Sequence, residues 1–483
     1  MGSLGNFKNR RVAVVGLGKS NQALTRYLHK EGAIVTCFDR KEAGSLGAAY
    51  EELSSLGVGW RLGDDYLQGL QGFDAVFLTP GMKKSLPEIA LARERGAVVT
   101  TEIALFLDRC KARVCGITGT IGKTTTTTLL GIMLRESLPD RKVYVGGNIG
   151  EVLIENVDSI TEDDLVVLEL SSFQLQLTHK SPKVALVLNV RPNHLDIHDS
   201  YEEYVLAKKN IYLTQGERDC CILNLDDPVT REMVSECPGR TGFFSLNPEA
   251  ARGELAAGHP VTWLDGEKLM AGILPAADPH RGSEVMLLAE TSDILVPGRH
   301  NIANVLAASL GALAMGATPE GIGRAIRSFR GVEHRIEFVR ELRGVRYYND
   351  SKATSPDSTE ALLQSVTGPI TLILGGYDKG IPFDGLARTI VTKDCKVVTL
   401  GKTAPAIEEA LVKAGVEQGV PASSGRPSFI GRAATLEEAV RMAAAESRPG
   451  SSVVLSPACA SYDMFKDFEE RGRAFKAFVA GLQ

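Results

Sequence analysis

Residues 116–131 read GITGTIGKTTTTTLLG, and this stretch determines how the neighbouring chain is interpreted. The run before it, RVCGITGT, is apolar and ends in glycines, which predicts a β-strand followed by a tight turn. The run after it, TTLLGIMLRESL, has apolar residues at helical spacing. Five consecutive threonines are a poor helix start, because β-branched side chains lose rotamer freedom in a helix. The sequence therefore predicts a strand, a glycine-rich loop and a helix, with a task for the residues at the junction.

Lys123 and Thr124 at that junction indicate a P-loop. In this layout the backbone N–H groups of the loop and helix start surround phosphate oxygens, the lysine reaches the terminal phosphates, and the hydroxyl ligates Mg²⁺. The strict pattern has glycine where this chain has Ile117, so the match is imperfect. The candidate nucleotide-binding residues here are Gly119, Thr120, Gly122, Lys123, Thr124 and Thr125. The later threonines are interpreted as helix surface and packing.

The composition excludes several classes of protein. The 483 residues are 44% hydrophobic and carry a formal net charge of -5, so the chain lacks the basic footprint of a nucleic-acid-binding protein. No run reaches the ~20 apolar residues of a membrane span, and the N-terminal residues lack the apolar region of a signal peptide. Eight scattered cysteines without a C-x-x-C pair are typical of thiols in a reducing compartment. We therefore expect a cytoplasmic protein.

Strand and helix patterns alternate along the chain, which predicts an α/β fold with largely parallel sheets. Residues 247–290 differ, since they are rich in Ala, Gly and Pro and favour a small β excursion or a long insertion. Ligands of open α/β sheets bind at the carboxyl ends of the strands. The polar residues discussed next follow predicted strands, so we expect them at those ends.

The first such turn, VVGLGKSNQAL, resembles a dinucleotide-binding turn with Gly16 and Gly18, but Asn21 replaces the third glycine. Asp39 closes the next strand, where a ribose-binding acid would stand. An incomplete G-x-G supports a phosphate-bearing ligand without specifying a nicotinamide cofactor, and a turn made for packing alone stays open.

Glu169 ends the apolar strand LVVLE, and a buried acid beside a P-loop is a natural Mg²⁺ ligand. A helix cap or a surface ion pair is its alternative. Asn148, in GGNIG, is a candidate for contact with phosphate or a substrate amide, or else part of a glycine turn. His194 and Asp196 follow another strand and indicate a metal or phosphate contact. Lys208, on a helix, is from its chemistry a surface lysine or an anion clamp.

Nine motifs occur in the same order as in the Mur ligases, and the chain resembles that family over essentially its whole length. The motifs are TGTIGKTT, GGNIG, LELSSFQL, NHLD, RHNIAN, EHR, NDSKAT, GGYDKG and LSPACASYDMFKDFEERG. The GLGKSN opening and the NDSKAT motif are most similar to the D-glutamate-adding branch. Ile121, where the family usually has Asn, and the length of residues 247–290 depart from the family pattern.

The resemblance implies three domains. They are a Rossmann-like UDP-sugar-binding domain at 1–112, a P-loop ATPase-type central domain at 113–330, and a Rossmann-like amino-acid-binding domain at 331–483. It also implies a reaction, in which ATP phosphorylates the carboxylate of UDP-N-acetylmuramoyl-L-alanine and the amine of D-glutamate attacks the acyl phosphate. The resulting tetrahedral intermediate collapses to amide and phosphate. The implied cofactors are ATP and two Mg²⁺ ions, and the implied state is a monomer acting on small molecules without nucleic acid or membrane.

Site residues follow from the same resemblance. Lys123, His194 and Lys208 are the implied catalytic residues. One Mg²⁺ is assigned to Thr124 and Glu169, and the other to His194 and a carbamylated Lys208. Adenine and ribose are assigned to Asn301, Arg335 and Asp350. The uridine end is assigned to Gly18, Asp39, Thr79, Pro80 and Gly81, and D-glutamate to Thr354, Lys379, Ser461, Tyr462 and Phe468. For Asp350 and Thr354 the alternative is a helix cap, and for Ser461 and Phe468 a helix start and its core face.

Three other functions stay open at this point. A folylpolyglutamate-synthase-type ligase shares the P-loop, but the early G-x-G domain counts against it. A P-loop sensor or motor would leave the DSKAT and SPACAS loops without a task. A nicotinamide oxidoreductase would be built on Gly16 and Gly18.

Overall fold

The computed structural model describes residues 5–194, 197–273, 284–393, 395–417 and 429–483. It divides into two compact units, one of Met1–Thr291 with Ala303–Ile326 and the other of Ser292–Ile302 with Arg327–Gln483. The first unit contains two sheets and the second contains one. In the described residues, no helix combines the length and apolar character needed to cross a bilayer.

The first sheet has five parallel strands in the order β3-β2-β1-β4-β5. These are β1 (Arg11–Val15), β2 (Ile34–Asp39), β3 (Gly59–Leu62), β4 (Ala75–Leu78) and β5 (Val98–Thr100). Its helices are α1 (Lys19–Lys30), α2 (Ala43–Leu46), α3 (Ala48–Ser55), α4 (Pro87–Glu94) and α5 (Glu102–Arg109). Strands β1 and β4 are almost entirely apolar and buried, as expected for strands covered on both faces. Val15 pairs with Phe38 and Leu78, so the turns after three strands meet at one edge.

The second sheet has nine strands in the order β14-β13-β12-β11-β10-β9-β6-β8-β7. They are β6 (Arg113–Thr118), β7 (Val143–Gly147), β8 (Leu165–Glu169), β9 (Val184–Val187), β10 (Cys220–Asn224), β11 (Arg240–Ser245), β12 (Val261–Asp265), β13 (Lys268–Ile273) and β14 (Glu284–Glu290). The accompanying helices are α6 (Lys123–Ser137), α7 (Ser172–Leu175), α8 (Tyr201–Lys209), α9 (Pro228–Glu232), α10 (Pro248–Ala256), α11 (Arg299–Ala314) and α12 (Pro319–Ser328). Strands β6 to β12 are parallel, whereas β13 and β14 are antiparallel.

The unusual stretch 247–290 thus supplies α10 and three strands that extend one edge of this sheet, and residues 274–283 within it lie outside the described residues. The expected β excursion is therefore a continuation of the central sheet.

The third sheet has the order β15-β16-β20-β17-β18-β19, with only β15 antiparallel. Its strands are β15 (Glu337–Leu342), β16 (Val345–Asn349), β17 (Ile370–Leu374), β18 (Lys396–Leu400), β19 (Phe429–Ala433) and β20 (Ser452–Leu455). Its helices are α13 (Pro356–Ser365), α14 (Asp384–Thr392), α15 (Ala404–Glu417), α16 (Leu436–Ala445) and α17 (Phe468–Ala480). The predicted domain boundaries at 112/113 and 330/331 fall between α5 and β6, and between α12 and β15.

Candidate active site

The glycine-rich loop connects β6 to α6 as the sequence predicts. Gly122 precedes Lys123 at the helix start with a φ of 91°, and Gly119 has a φ of 156°. A Cβ on Gly122 would lie 2.3 Å from the side-chain oxygen of Asn304, so no larger residue fits there. The loop therefore follows a path that requires glycine and brings backbone close to the helix N-terminus.

Two lysine side chains converge on one carbonyl oxygen of this loop. Lys123 Nζ donates to the carbonyls of Gly119 and Thr120 at 3.0 Å each, and Lys208 Nζ donates to the Gly119 carbonyl at 2.9 Å. Lys208 is 1% exposed and lies over the Tyr204 ring, 4.6 Å from its centroid. Burial, followed by the nearby Lys123 charge, holds the pKa of the Lys208 amine well below its usual range. The surface-lysine interpretation is therefore wrong.

Glu169 forms the acidic part of the site. Strand pairing sets it opposite Ile117 in β6 and Gly147 in β7, and the side chain is 2% exposed. Its carboxylate accepts hydrogen bonds from Thr124 Oγ1 and Asn148 Nδ2, both at 2.8 Å. Burial excludes the surface ion pair, and α7 is capped by another residue, so neither alternative for Glu169 holds. The Glu169 carboxylate and the Thr124 hydroxyl are oxygen donors of the kind Mg²⁺ prefers.

His194 lies in the exposed segment after β9 with a φ of 56°, which is uncommon for a residue other than glycine. Its ring is 5.0 Å from that of Phe173, whereas Asp196 lies outside the described residues. Sequence reasoning missed His198. This residue is buried, its ring stacks on the same Phe173 ring at 5.1 Å, and its Nε2 is 3.0 Å from Ser172 Oγ. Across the described part of the chain, no three His, Cys, Asp or Glu side chains are grouped to hold a metal ion. A metal site here would therefore depend on the Thr124 hydroxyl, the Glu169 carboxylate and any anionic group that is added to a side chain.

Asn189, which sequence reasoning also missed, forms side-chain hydrogen bonds with the backbone of the P-loop. Its side-chain oxygen accepts the backbone N–H groups of Thr120 and Ile121 at 3.2 and 2.9 Å, and its Nδ2 donates to the Ile121 carbonyl at 2.9 Å. The Ile121 side chain is 58% exposed and contributes only backbone groups to these bonds. The signal in the sequence is a polar residue directly after the β9 pattern. Asn189 therefore satisfies loop amides of the kind that bind phosphate oxygens.

Gly16, Asp39 and Thr79 meet at the edge of the first sheet. A Cβ on Gly16, whose φ is 80°, would lie 2.7 Å from Thr79 Cγ2. The Asp39 carboxylate accepts the backbone N–H groups of Leu17 at 2.7 Å and Lys41 at 2.9 Å. The structure thus brings Asp39 and Thr79, two of the residues predicted for the uridine end, to the turn after β1, and Asp39 also shapes that turn.

Asn21 stands where the dinucleotide-binding pattern has its third glycine, and its side chain holds the turn together. Its side chain is buried and Nδ2 donates to the carbonyls of Val15 and Gly16, at 3.0 and 2.8 Å. Gly18 precedes α1, and the space where its Cβ would project is open. The turn keeps an accessible helix start without the full dinucleotide pattern.

Lys84 follows the Thr79-Pro80-Gly81 turn in the chain, and sequence reasoning also missed it. Its buried ammonium donates to the carbonyls of Pro80 and Met82. Burial lowers the Lys84 pKa to about 8. The buried Lys84 ammonium therefore stabilises this turn through hydrogen bonds to its carbonyl groups.

In the second unit, Arg335 is exposed between two residues with left-handed backbone, His334 at φ 63° and Ile336 at φ 46°. A β-branched residue rarely adopts this conformation, and such strain is concentrated at functional sites. Asp350 accepts bonds from the Ile336 N–H at 3.2 Å and from Ser456 Oγ at 2.9 Å, and burial raises its pKa to about 7. Asn301 is buried and donates to a nearby carbonyl.

The residues predicted for the amino acid lie after β16, β17 and β20. Lys379 Nζ is 3.4 Å from the Thr354 carbonyl. Ser461 is buried, and Tyr462 is exposed with its ring 6.0 Å from that of Tyr377.

The capping alternatives in this unit are settled by the helix bounds. Ser355 precedes α13, so Asp350 and Thr354 do not cap it. Ser461 is not at a helix start, whereas Phe468 is the first residue of α17. The structure therefore gives no helix-terminal role to Asp350, Thr354 or Ser461, whereas Phe468 begins α17.

Three family models match the chain. They are the MurD-like N-terminal domain over residues 10–101, the Mur ligase middle domain over 117–312, and the Mur ligase glutamate ligase domain over 334–459. The chain is 47% identical to UDP-N-acetylmuramoylalanine–D-glutamate ligase of Symbiobacterium thermophilum, with 98% of each chain covered. It is 42% identical to the ligase of the same name from Acetivibrio thermocellus, covering 99% of this chain and 97% of the relative.

A solved UDP-N-acetylmuramate-alanine ligase from Thermotoga maritima has a similar fold, with a TM-score of 0.52 at 19% identity over 98% of this chain and 99% of that one. The expected α/β architecture, with a Rossmann-like first domain, a P-loop central domain and a Rossmann-like third domain, is confirmed by these matches and by the three sheets. With three domain models in order and full-length relatives above 40% identity, the chain belongs to the Mur ligase family.

Proposed function

We propose that this chain is an ATP-dependent ligase that joins D-glutamate to the L-alanyl carboxylate of UDP-N-acetylmuramoyl-L-alanine in the cytoplasm. The observation that carries the proposal is the pair of lysines on the Gly119 carbonyl beside the Thr124–Glu169 hydrogen bond. The names of the full-length relatives support the choice of amino acid and acceptor. The chain acts as a monomer in this proposal, with domains at 1–112, 113–330 and 331–483.

Phosphoryl transfer from ATP to a carboxylate gathers several negative charges, and catalysis then depends on dense, preorganised cations. Lys123 at the start of α6 supplies one, and the N–H groups of the loop and helix start supply more. Thr124 and Glu169 offer oxygen donors for one Mg²⁺, which neutralises phosphate charge when bound. In the proposal, Thr120 and Thr125 contribute hydroxyl and amide contacts to the phosphates.

A second metal ion would be held by His194 and Lys208. The unmodified ammonium of Lys208 does not fit this task, because it would repel the ion. A carbamate on Lys208 has the required charge and oxygen donors. Carbamylation needs a neutral amine, and burial, which lowers the pKa of Lys208, increases the neutral fraction of this amine.

The substrates are divided between the two units. Gly18, Asp39 and the Thr79-Pro80-Gly81 turn hold the uridine end, and Asn148 contacts the acceptor. Asn301, Arg335 and Asp350 bind adenine and ribose. D-Glutamate is held by Thr354, Lys379, Ser461, Tyr462 and Phe468, with Lys379 supplying the point charge for a dianionic amino acid. Its amine attacks the acyl phosphate, the C–N bond forms, and phosphate leaves with the C–O electron pair.

The test is phosphate release from ATP with UDP-N-acetylmuramoyl-L-alanine and D-glutamate, each omitted in turn. The proposal expects release only with all three, together with an amide product identified by mass. Release that is independent of D-glutamate, or that is equal with L-glutamate, would refute the assignment of the amino acid.

A further inference from the structure

The first turns of α17 contain Arg471, a fully buried arginine that the substrate assignments do not use. It is 2% exposed, and its guanidinium reaches two separate loops. Nε donates to Ser351 Oγ at 3.0 Å, and Nη2 donates to the Ser351 carbonyl at 2.8 Å. Nη2 also donates to the Cys459 carbonyl at 3.0 Å, and Nη1 to the Ala460 carbonyl at 3.1 Å. One side chain therefore binds the loop after β16 to the loop after β20.

Both loops carry residues proposed for substrate binding. Ser351 follows Asp350, proposed for the nucleotide, and precedes Thr354, proposed for D-glutamate, on the same loop. Ala460 precedes Ser461 and pairs with Tyr377, whose N–H donates to the Ala460 carbonyl at 2.9 Å. The guanidinium thus joins the loop that carries Asp350 and Thr354 to the loop that carries Ser461.

The charge of Arg471 is retained although burial opposes it. Among the described residues, the ion pairs within salt-bridge distance do not include Arg471, and its four hydrogen bonds end on carbonyl and hydroxyl oxygens. Burial lowers its pKa to about 10, so the group stays protonated at neutral pH. A buried cation with no carboxylate within ion-pair distance is costly in stability, and a hydrophobic side chain of similar size would pack there without that cost.

A second arginine in the same domain provides the comparison. Arg340 Nη1 and Nη2 donate to the carbonyls of Ala480 and Leu482, at 3.2 and 2.7 Å, where the chain leaves α17. This arginine also bonds to carbonyls, but none of its partners adjoins a proposed substrate residue. A variant of Arg340 therefore separates the general effect of losing hydrogen bonds to backbone carbonyls from the effect of losing them next to the proposed substrate residues.

We propose that Arg471 is a positioning residue that fixes the loop after β16, which carries Thr354, against the loop after β20, which carries Ser461, so that D-glutamate affinity depends on it. This inference rests on the proposed function. The planar fork can bind both loops at once, whereas a lysine ammonium is a point charge that cannot reproduce the four bonds.

The experiment measures KM for D-glutamate, ATP and UDP-N-acetylmuramoyl-L-alanine, together with kcat, for wild type, Arg471→Met, Arg471→Lys and Arg340→Met. For both Arg471 variants we expect the KM for D-glutamate to rise about 10- to 100-fold, the scale of lost charged hydrogen bonds. The KM for the UDP-sugar, assigned to the first unit, should stay within about twofold. Arg340→Met should leave the KM for D-glutamate within the same range.

A purely structural role would lower the active fraction, and hence kcat, without changing KM. A folded Arg471→Lys enzyme with an unchanged KM for D-glutamate would overturn the inference even if Arg471→Met fails to fold. An equal rise in KM for Arg340→Met would also overturn it. If wild type shows no D-glutamate-dependent phosphate release, the proposed function fails instead, so the two failures are distinguishable.

Discussion

Replacing Lys208 with alanine tests the proposed carbamate directly. Lys208 and Lys123 donate to the same Gly119 oxygen, at 2.9 and 3.0 Å, so the two nitrogens are at most about 6 Å apart. Carbamylation occurs when CO₂ adds to the neutral amine, forming an N–C bond and releasing a proton. It places an anion beside the Lys123 ammonium.

The magnitude follows from that separation. Two unit charges about 6 Å apart interact by ~3 kcal/mol at an effective dielectric constant of about 20. Loss of the anion in Lys208→Ala removes a favourable term of that size, which corresponds to about 10²-fold in rate. The loss of a metal-binding group adds to this term, so we expect kcat to fall at least about 10²-fold.

The assay is phosphate release by Lys208→Ala with and without acetate or propionate. A short carboxylate can enter the space left by the side chain and restore part of the rate. Lys209→Ala is the matched control, since the adjacent Lys209 pairs with Glu236 at 2.6 Å and has no contact with the loop carbonyl. Its activity should stay within about twofold of wild type, as expected for a surface ion pair.

Retention of more than about a tenth of the wild-type rate by Lys208→Ala would refute the reasoning, because loss of the anion alone predicts a larger decrease. Inactivity that carboxylates do not restore would favour a simple anion clamp over the carbamate. Mass spectrometry of the intact wild-type protein in bicarbonate would then decide whether the adduct forms.

Three other changes test separate parts of the site and fold. Lys123→Ala should reduce kcat at least about 10²-fold with unchanged thermal stability, because it removes a charge that faces the transferred phosphoryl group; short carboxylates should not restore its phosphate release. Asp39→Ala should raise the KM for the UDP-sugar about 10- to 100-fold and leave the KM for ATP unchanged, and an equal loss for ATP would contradict the assignment. Glu102→Gln tests the raised carboxyl pKa of about 8 that burial produces. The folded protein keeps this proton up to pH about 8 whereas the unfolded chain releases it near pH 4.5, so wild-type stability falls with rising pH across this window. The variant should therefore gain at least ~1 kcal/mol over wild type at pH 8 relative to pH 5 in thermal unfolding, and identical pH profiles would exclude a buried neutral carboxyl.

The polar site residues that follow strands could be predicted from the sequence, because parallel strands place their carboxyl ends at one edge of the sheet. Glu169, Asp39 and Lys123 each follow or adjoin an apolar run that could be identified locally. The close approach of Lys208 to the loop could not be predicted this way, because it depends on how α8 packs against β6. From the sequence alone, this lysine was indistinguishable from an exposed one, and only the family resemblance indicated otherwise.

Three of the residues that were missed share a different physical role. Asn189, Lys84 and Arg471 bond mainly to backbone carbonyls or amides of loops. Such bonds carry no residue-type signal on the partner, since every residue has the same backbone groups. Side chains that shape a site through the backbone are therefore the part of this fold that motif reasoning cannot recover.

The P-loop shows why these supporting bonds affect chemistry. Asn189 satisfies the N–H groups of Thr120 and Ile121, and Lys123 satisfies two loop carbonyls, so hydrogen bonds within the protein fix the shape of the loop. Phosphate oxygens would replace a neutral amide oxygen as acceptor, and charged acceptors form stronger hydrogen bonds. Since the loop does not have to be ordered at the moment of binding, little of that gain is lost to conformational entropy. The same donors can then act on the charge that develops during phosphoryl transfer, which is where preorganised groups accelerate a reaction.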